Sequence, residues 1–189
     1  ALDATLLEGL DAVVHLAGEN ISNGRWTHKQ KAKILESRKQ GTKLLSESLA
    51  KLNTPPKALI SASGINYYHR NSDKPYNESS SIGSSFLSKV CDEWEKGTEA
   101  AEKSGIRVCH LRIGVVLSKN GGALPKMLLP MRLGLGGIIG SGKQHMSWIA
   151  LDDLVKIIHN SIINEKWTGV VNAVSEKPVT NKDFTKELA

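Results

Sequence analysis

The sequence predicts an α/β protein: a doubly wound parallel sheet with helices on both faces. Two observations carry this. Short apolar runs of strand length take turns with longer stretches whose apolar residues recur at helical spacing. The runs are almost continuously apolar, as strands covered on both faces are. No internal repeat or low-complexity linker divides the 189 residues, a length that suits one core, so residues 1–189 read as a single domain.

In chain order, "DAVVHLAG" at 11–18 is the first strand, closed by Gly18. Thr27 to Leu52 forms a long helix carrying Ile34, Leu35, Leu44, Leu45, Leu49 and Leu52. "PPKALISAS" supplies a strand after a proline stop. Phe86 to Ser104 is a second helix with Phe86, Val90, Trp94 and Thr98 on one stripe. "IRVCHLRIGVVL" is a third strand, and "LDDLVKIIHNSII" a helix with Leu151, Leu154, Val155, Ile158 and Ile162 facing one way. "GVVNAV" is a further strand, and Thr180 caps a last helix in "TNKDFTKELA".

Composition narrows the function. Hydrophobic content of 40% with 17 glycines fits a globular chain. No apolar run approaches the ~20 residues of a membrane span, and "ALDATLLEGLD" lacks an export pattern, so a cytoplasmic protein without a membrane partner is expected. Cys91 and Cys109 fit no disulfide or metal pattern and the six histidines show no H-x-x-x-H spacing, so no metal is expected. The net charge is +6, and the stretch from Arg25 to Lys51 holds eight Lys/Arg against two acids. With no nucleic-acid motif or aromatic platform beside it, this reads as a solvated helix face, and no nucleic-acid partner is expected.

In open parallel sheets ligands lie beyond the carboxyl ends of the strands. Those ends are "HLAGENI", "SASGINYY" and "LRIGVVL". Ala17 and Gly18 would let a flat ligand approach the backbone, and Ser61 and Ser63 place hydroxyls at the next mouth; the structural alternative is ordinary turn and backbone-satisfying residues. "GLGGIIGSG" at 134–142 lacks phosphate-loop spacing. Asp152 and Asp153 precede a helix, where the dipole favours carboxylates.

The segments "VVHLAGENI", "RWTHKQKAKILESR", "SASGINYY", "VCDEWE", "LRIGVVLSKNGGALPKMLLPMRLGLGGIIGSGKQHMSWI" and "VNAVSEKPVTNKDF" together span nearly the whole chain. They resemble the extended short-chain dehydrogenase/reductases, in their atypical epimerase-family branch. The resemblance implies a Rossmann-like fold, an NAD(P)-dependent oxidoreductase or epimerase-like enzyme with NADP the expected cofactor and NAD admitted, and a small-molecule substrate; a homodimer is compatible with it. It also implies a strand, a G-x-x-G-x-x-G turn and a helix that this sequence does not contain, so the domain reads as incomplete. The stretch 120–150 would be a loop-and-helix region on the substrate side.

Residue by residue, the resemblance places Ser63 and Lys89 in catalytic roles, and Tyr68 is the expected stand-in for the family tyrosine. Ala17, Gly18, Ser61, Arg112, Ile113, Gly114 and Val115 at the strand ends and Arg38 on the adjacent helix are expected at the cofactor, and Met127, Gln144, Met146 and Trp148 at the substrate. Family members carry a tyrosine four residues before the lysine, and here Ser85 stands four before Lys89, an alcohol too weakly acidic to replace a phenol. Tyr67 and Tyr68 are candidates for the lost ring hydroxyl, against a plain packing role. Met146 occupies the place of an arginine that grips a substrate diphosphate, which argues against a nucleotide sugar. Two functions of different class follow: a slow oxidoreductase with a changed proton donor, or a cofactor-binding sensor or scaffold with little turnover.

Overall fold

The computed structural model describes residues 3–69 and 74–189. Its strands are, in chain order, β1 (Ala12–His15), β2 (Ala58–Gly64), β3 (Arg107–Ile113), β4 (Val115–Ser118), β5 (Gly121–Gly122), β6 (His145–Met146), β7 (Trp148–Ala150), β8 (Gly169–Ala173) and β9 (Val179–Thr180). The helices are α1 (His28–Leu49), α2 (Phe86–Lys96), α3 (Glu99–Lys103), α4 (Ala123–Arg132), α5 (Leu151–Ile163) and α6 (Asn181–Leu188). β1, β2, β3 and β8 form the central sheet in that order, all parallel.

Alternate residues of β2 and β3 serve two cores. Ala58, Ile60, Cys109 and Leu111 pack toward Leu154 and the Ile157, Ile158 and Ile162 face of α5. Leu59 and Val108 point the other way, onto Leu49, Ala101 and Ile106. Burial on both faces is why these strands read as unbroken apolar runs. The doubly wound α/β reading therefore holds.

Local chemistry explains the boundaries. The Thr27 hydroxyl accepts from the Gln30 N–H (3.2 Å) and starts α1, and Thr180 caps α6 by accepting from Asp183 N–H (3.1 Å). The helix expected over Phe86–Ser104 is broken at Gly97–Thr98 into α2 and α3. At Gly97 a Cβ would lie 3.0 Å from the Thr42 Cβ, so the glycine sits where α1 comes closest. The third predicted strand also divides, at Gly114, where a Cβ would stand 2.9 Å from the Ser147 carbonyl oxygen. Past it, β4 leaves the central sheet and pairs with β7 and β5.

One helical stripe is corrected. On α5 the buried face is Leu154, Ile157, Ile158, Ser161 and Ile162, while Leu151 and Val155 are exposed. On α1 Leu44 is exposed. Asp152 and Asp153 are exposed in the first turn of α5, as the dipole reading had it.

Candidate functional site

Because β2 and β3 run parallel in register, Gly64 lies beside Ile113 and both strand ends open on one side. A cleft of about 830 Å³ begins there. Of the residues singled out from sequence, Arg38, Ser63, Ile113, Gly114, Val115 and Met127 line it. Leu16, Ala62, Leu87, Val90, Cys91, Trp94 and Lys126 line it too, and sequence reasoning did not place them there.

The face that α2 turns to the cleft is Leu87, Val90, Cys91 and Trp94. Lys89 is exposed and does not line it. At 100° per residue Lys89 lies roughly 150° around the helix from the centre of that face, so the structure does not join it to Ser63. The cleft-facing pairs four residues apart are Leu87 with Cys91 and Val90 with Trp94, and none of the four is a phenol or an amine. Ser85 is the N-cap of α2, its hydroxyl accepting from the Ser88 N–H at 3.0 Å.

A polar network lies behind Ser63. The Ser63 hydroxyl donates to Glu95 Oε1 at 2.6 Å. Arg112 grips the same carboxylate with two forks, Nε to Oε1 and Nη2 to Oε2, both 2.8 Å. Arg112 Nη1 donates to the Tyr68 hydroxyl (2.9 Å), which donates in turn to Asn172 Oδ1 (2.7 Å). The guanidinium also stacks on the Tyr67 ring, 3.4 Å from its centre. Burial opposes the charge on Arg112, while the bonds to Glu95 and Tyr68 outweigh it and raise the pKa. Arg112 is thus a buried anchor and does not line the cleft.

Glu95 and Asn172 were missed from sequence. The available signal was Arg112 itself: an arginine inside an apolar strand needs a carboxylate partner.

Arg38 reaches the cleft from α1. Its Nη1 donates to the carbonyls of Glu19 (2.9 Å) and Ile34 (3.2 Å), and its plane lies 4.6 Å from the centre of the Trp94 ring. Gly18 makes room for this: a Cβ there would meet the Arg38 Cζ at 2.8 Å. The group that approaches this glycine at the first strand mouth is the Arg38 guanidinium. Lys126, on α4, spans to the Ser22 hydroxyl at 3.1 Å.

Other expected site residues lie elsewhere. Ala17 is exposed outside the cleft lining. Ser61 is fully buried, its hydroxyl turned to the Ala62 carbonyl (3.4 Å). Tyr68 and Gln144 border a second cavity of about 570 Å³, which shares Ile65 and Asn66 with the first. Gln144 donates to the Ile139 carbonyl (2.8 Å). Met146 and Trp148 are half-buried in β6 and β7 and line neither cavity.

Cys91 sits beside Ser63 and Gly64. Burial and the nearby Glu95 charge push its thiol up to about 11, so it is a neutral thiol at ordinary pH.

Apolar walls, one hydroxyl at the sheet mouth and two cations, Arg38 and Lys126, could hold a flat ring with a polar edge and an anionic tail. The model for the NAD dependent epimerase/dehydratase family matches residues 1–172. The chain belongs to this family. Within it, an epimerase family protein of Mycobacterium bovis is 40% identical over 183 residues, covering 97% of this chain and 60% of that protein. The crystal structure of human epimerase family protein SDR39U1 (isoform 2) with NADPH is 38% identical, with a TM-score of 0.90 over 96% of this chain and 64% of that one. A nucleoside-diphosphate sugar epimerase from Corynebacterium glutamicum is 40% identical, with a TM-score of 0.87 over 98% and 39% of the two chains. The chain spans 60% of the length of curated epimerase-family relatives such as those of Mycobacterium bovis and Bacillus subtilis. Among the described residues no helix is long and apolar enough to cross a membrane.

Proposed function

We propose that the full-length protein is an NADP-dependent oxidoreductase of the extended short-chain dehydrogenase/reductase type, acting on a small substrate with an apolar edge. The observation that carries this is the cleft at the mouths of β2 and β3, where Ser63 and Ile113–Val115 meet Arg38. The residues present fit the nicotinamide end of a dinucleotide: Leu16, Ala62, Leu87 and Val90 exclude water from a flat ring, and Arg38 and Lys126 offset phosphate charge. NADP is favoured over NAD because a relative 38% identical was crystallised with NADPH. When bound, the cofactor supplies hydride chemistry.

The chain's own residues handle the proton. Tyr68 is committed to Asn172, Lys89 lies outside the cleft and the Ser63 proton points at Glu95 Oε1, so exchange at the substrate oxygen falls to a water held against Ser63. Loss of the usual phenol slows such a step by about 10²–10⁴-fold without abolishing it. Epimerisation of a nucleotide sugar is less favoured, since Met146 offers a diphosphate no charge. A cytoplasmic location belongs to this reading, and a homodimer is compatible with it.

One observation favours the second reading, a cofactor-binding sensor or scaffold: α2 presents Leu87 and Cys91 to the cleft and no phenol or amine. The two are separated by titrating the full-length protein with NADPH and NADH, then following single-turnover oxidation of bound NADPH by aldehydes, ketones and quinones. The enzyme reading expects oxidation that falls in Ser63→Ala. Tight NADPH binding with no oxidation by the panel favours the sensor, and no binding of either dinucleotide sinks both.

A further inference from the structure

The hydrogen-bond polarity of Ser63 carries consequences for what the cleft accepts. A serine hydroxyl has one proton and two lone pairs. At Ser63 that proton points at Glu95 Oε1, 2.6 Å away, a distance in the range of charge-assisted O–H···O bonds. Glu95 cannot return a proton, because both its oxygens are held by the Arg112 fork and an ion-paired carboxylate only accepts. The pair is buried, with side-chain exposures of 3% for Arg112 and 12% for Glu95, so water does not compete freely for it. What Ser63 turns to the cleft is therefore lone-pair density.

We propose that Glu95 is a positioning residue that consumes the Ser63 proton, so that the group bound against Ser63 in the cleft is a hydrogen-bond donor, a hydroxyl or an amide N–H, and not a bare carbonyl. The inference rests on reading the cleft as the nicotinamide and substrate site. It gives that site a direction: in oxidation of an alcohol the substrate presents its O–H to Ser63, whereas a ketone meets an oxygen with no proton to offer. The neutral Cys91 thiol beside Ser63 is compatible, since a thiol can take up at most one of the two lone pairs.

The test is a comparison of matched ligands that differ only in a donor, made by calorimetry and ligand-observed NMR on the full-length protein. One arm sets NADP⁺ against its 3-acetylpyridine analogue, in which the carboxamide N–H₂ becomes a methyl. The other, on NADP⁺-saturated protein, sets cyclohexanol against cyclohexanone. In at least one arm the donor-bearing member should bind about three- to tenfold tighter, the worth of one neutral hydrogen bond, and Ser63→Ala should bring that ratio to about one. Glu95→Gln, whose amide N–H₂ can donate to Ser63 and free its proton, should reduce or invert the ratio. A purely structural Glu95 would leave the ratio unchanged. If Glu95→Gln does not fold, the wild-type and Ser63→Ala ratios still decide. Equal or reversed preference in both arms for the wild type overturns the proposal, as does a donor preference that survives Ser63→Ala. Failure of either dinucleotide to bind at all sinks the reading of the cleft instead.

Discussion

Removing both partners of the Arg112–Glu95 pair should destabilise the protein by less than the sum of removing each alone. The side chains are almost wholly enclosed and joined by two bonds of 2.8 Å, so Glu95→Ala leaves a guanidinium buried without its counter-charge, and Ser63 without its acceptor. Arg112→Ala leaves the carboxylate in the same position and also strips the bond to Tyr68 and the stack on Tyr67. Breaking a buried pair in this way costs about 3–5 kcal/mol. The double variant removes both charges, so its cost should fall short of the sum of the singles by at least about 2 kcal/mol. Urea unfolding of the full-length protein, followed by circular dichroism, measures all three. Single variants that each cost under about 1 kcal/mol, or costs that simply add, would refute the claim that the two charges compensate each other in a water-poor interior.

Three further outcomes are expected. Gly114→Ala should cost about 1–3 kcal/mol in the same urea assay, because the new Cβ would lie 2.9 Å from the Ser147 carbonyl oxygen, backbone that cannot swing away. His110 has its pKa lowered by burial, with Nε2 2.9 Å from the Thr98 hydroxyl. The unfolded chain then takes up a proton near pH 6.5 before the folded one does, so this stability is present above that pH and lost as pH falls; stability measured at pH 7.5 and 5.5 should differ less in His110→Gln. For Cys91 the window is alkaline: with the folded thiol raised from 9.0 to about 11, stability should decline as pH rises across that interval, and Cys91→Ala should flatten the decline.

The sheet was legible because its physics is local and periodic. β2 and β3 are apolar at nearly every position since alternate residues feed two different cores. The caps at Thr27 and Thr180 are likewise local, each a side chain bonding to an N–H three residues on. Breaks at Gly97 and Gly114 were not legible, because the atoms that demand glycine there, on Thr42 and Ser147, are remote in sequence. The site divided along the same line. Ser63 and Ile113–Val115 follow from being strand ends, and they line the cleft. Lys89 was placed by its spacing from Ser85, and the helix turns it to solvent.

By itself the sequence determined the alternation of strand and helix, the parallel sheet and the side on which a ligand could lie, all consequences of residue period and of strand direction. Only the tertiary structure decided which face of α2 meets the cleft, and that Arg112 is an anchor while Arg38 and Lys126 are the cations that line it. The physical reason is that helix rotation and charge pairing are settled by contacts between segments far apart in the chain. Arg112 finds Glu95 across 17 residues and Tyr68 across 44, and the proton of Ser63 is directed by a carboxylate 32 residues away.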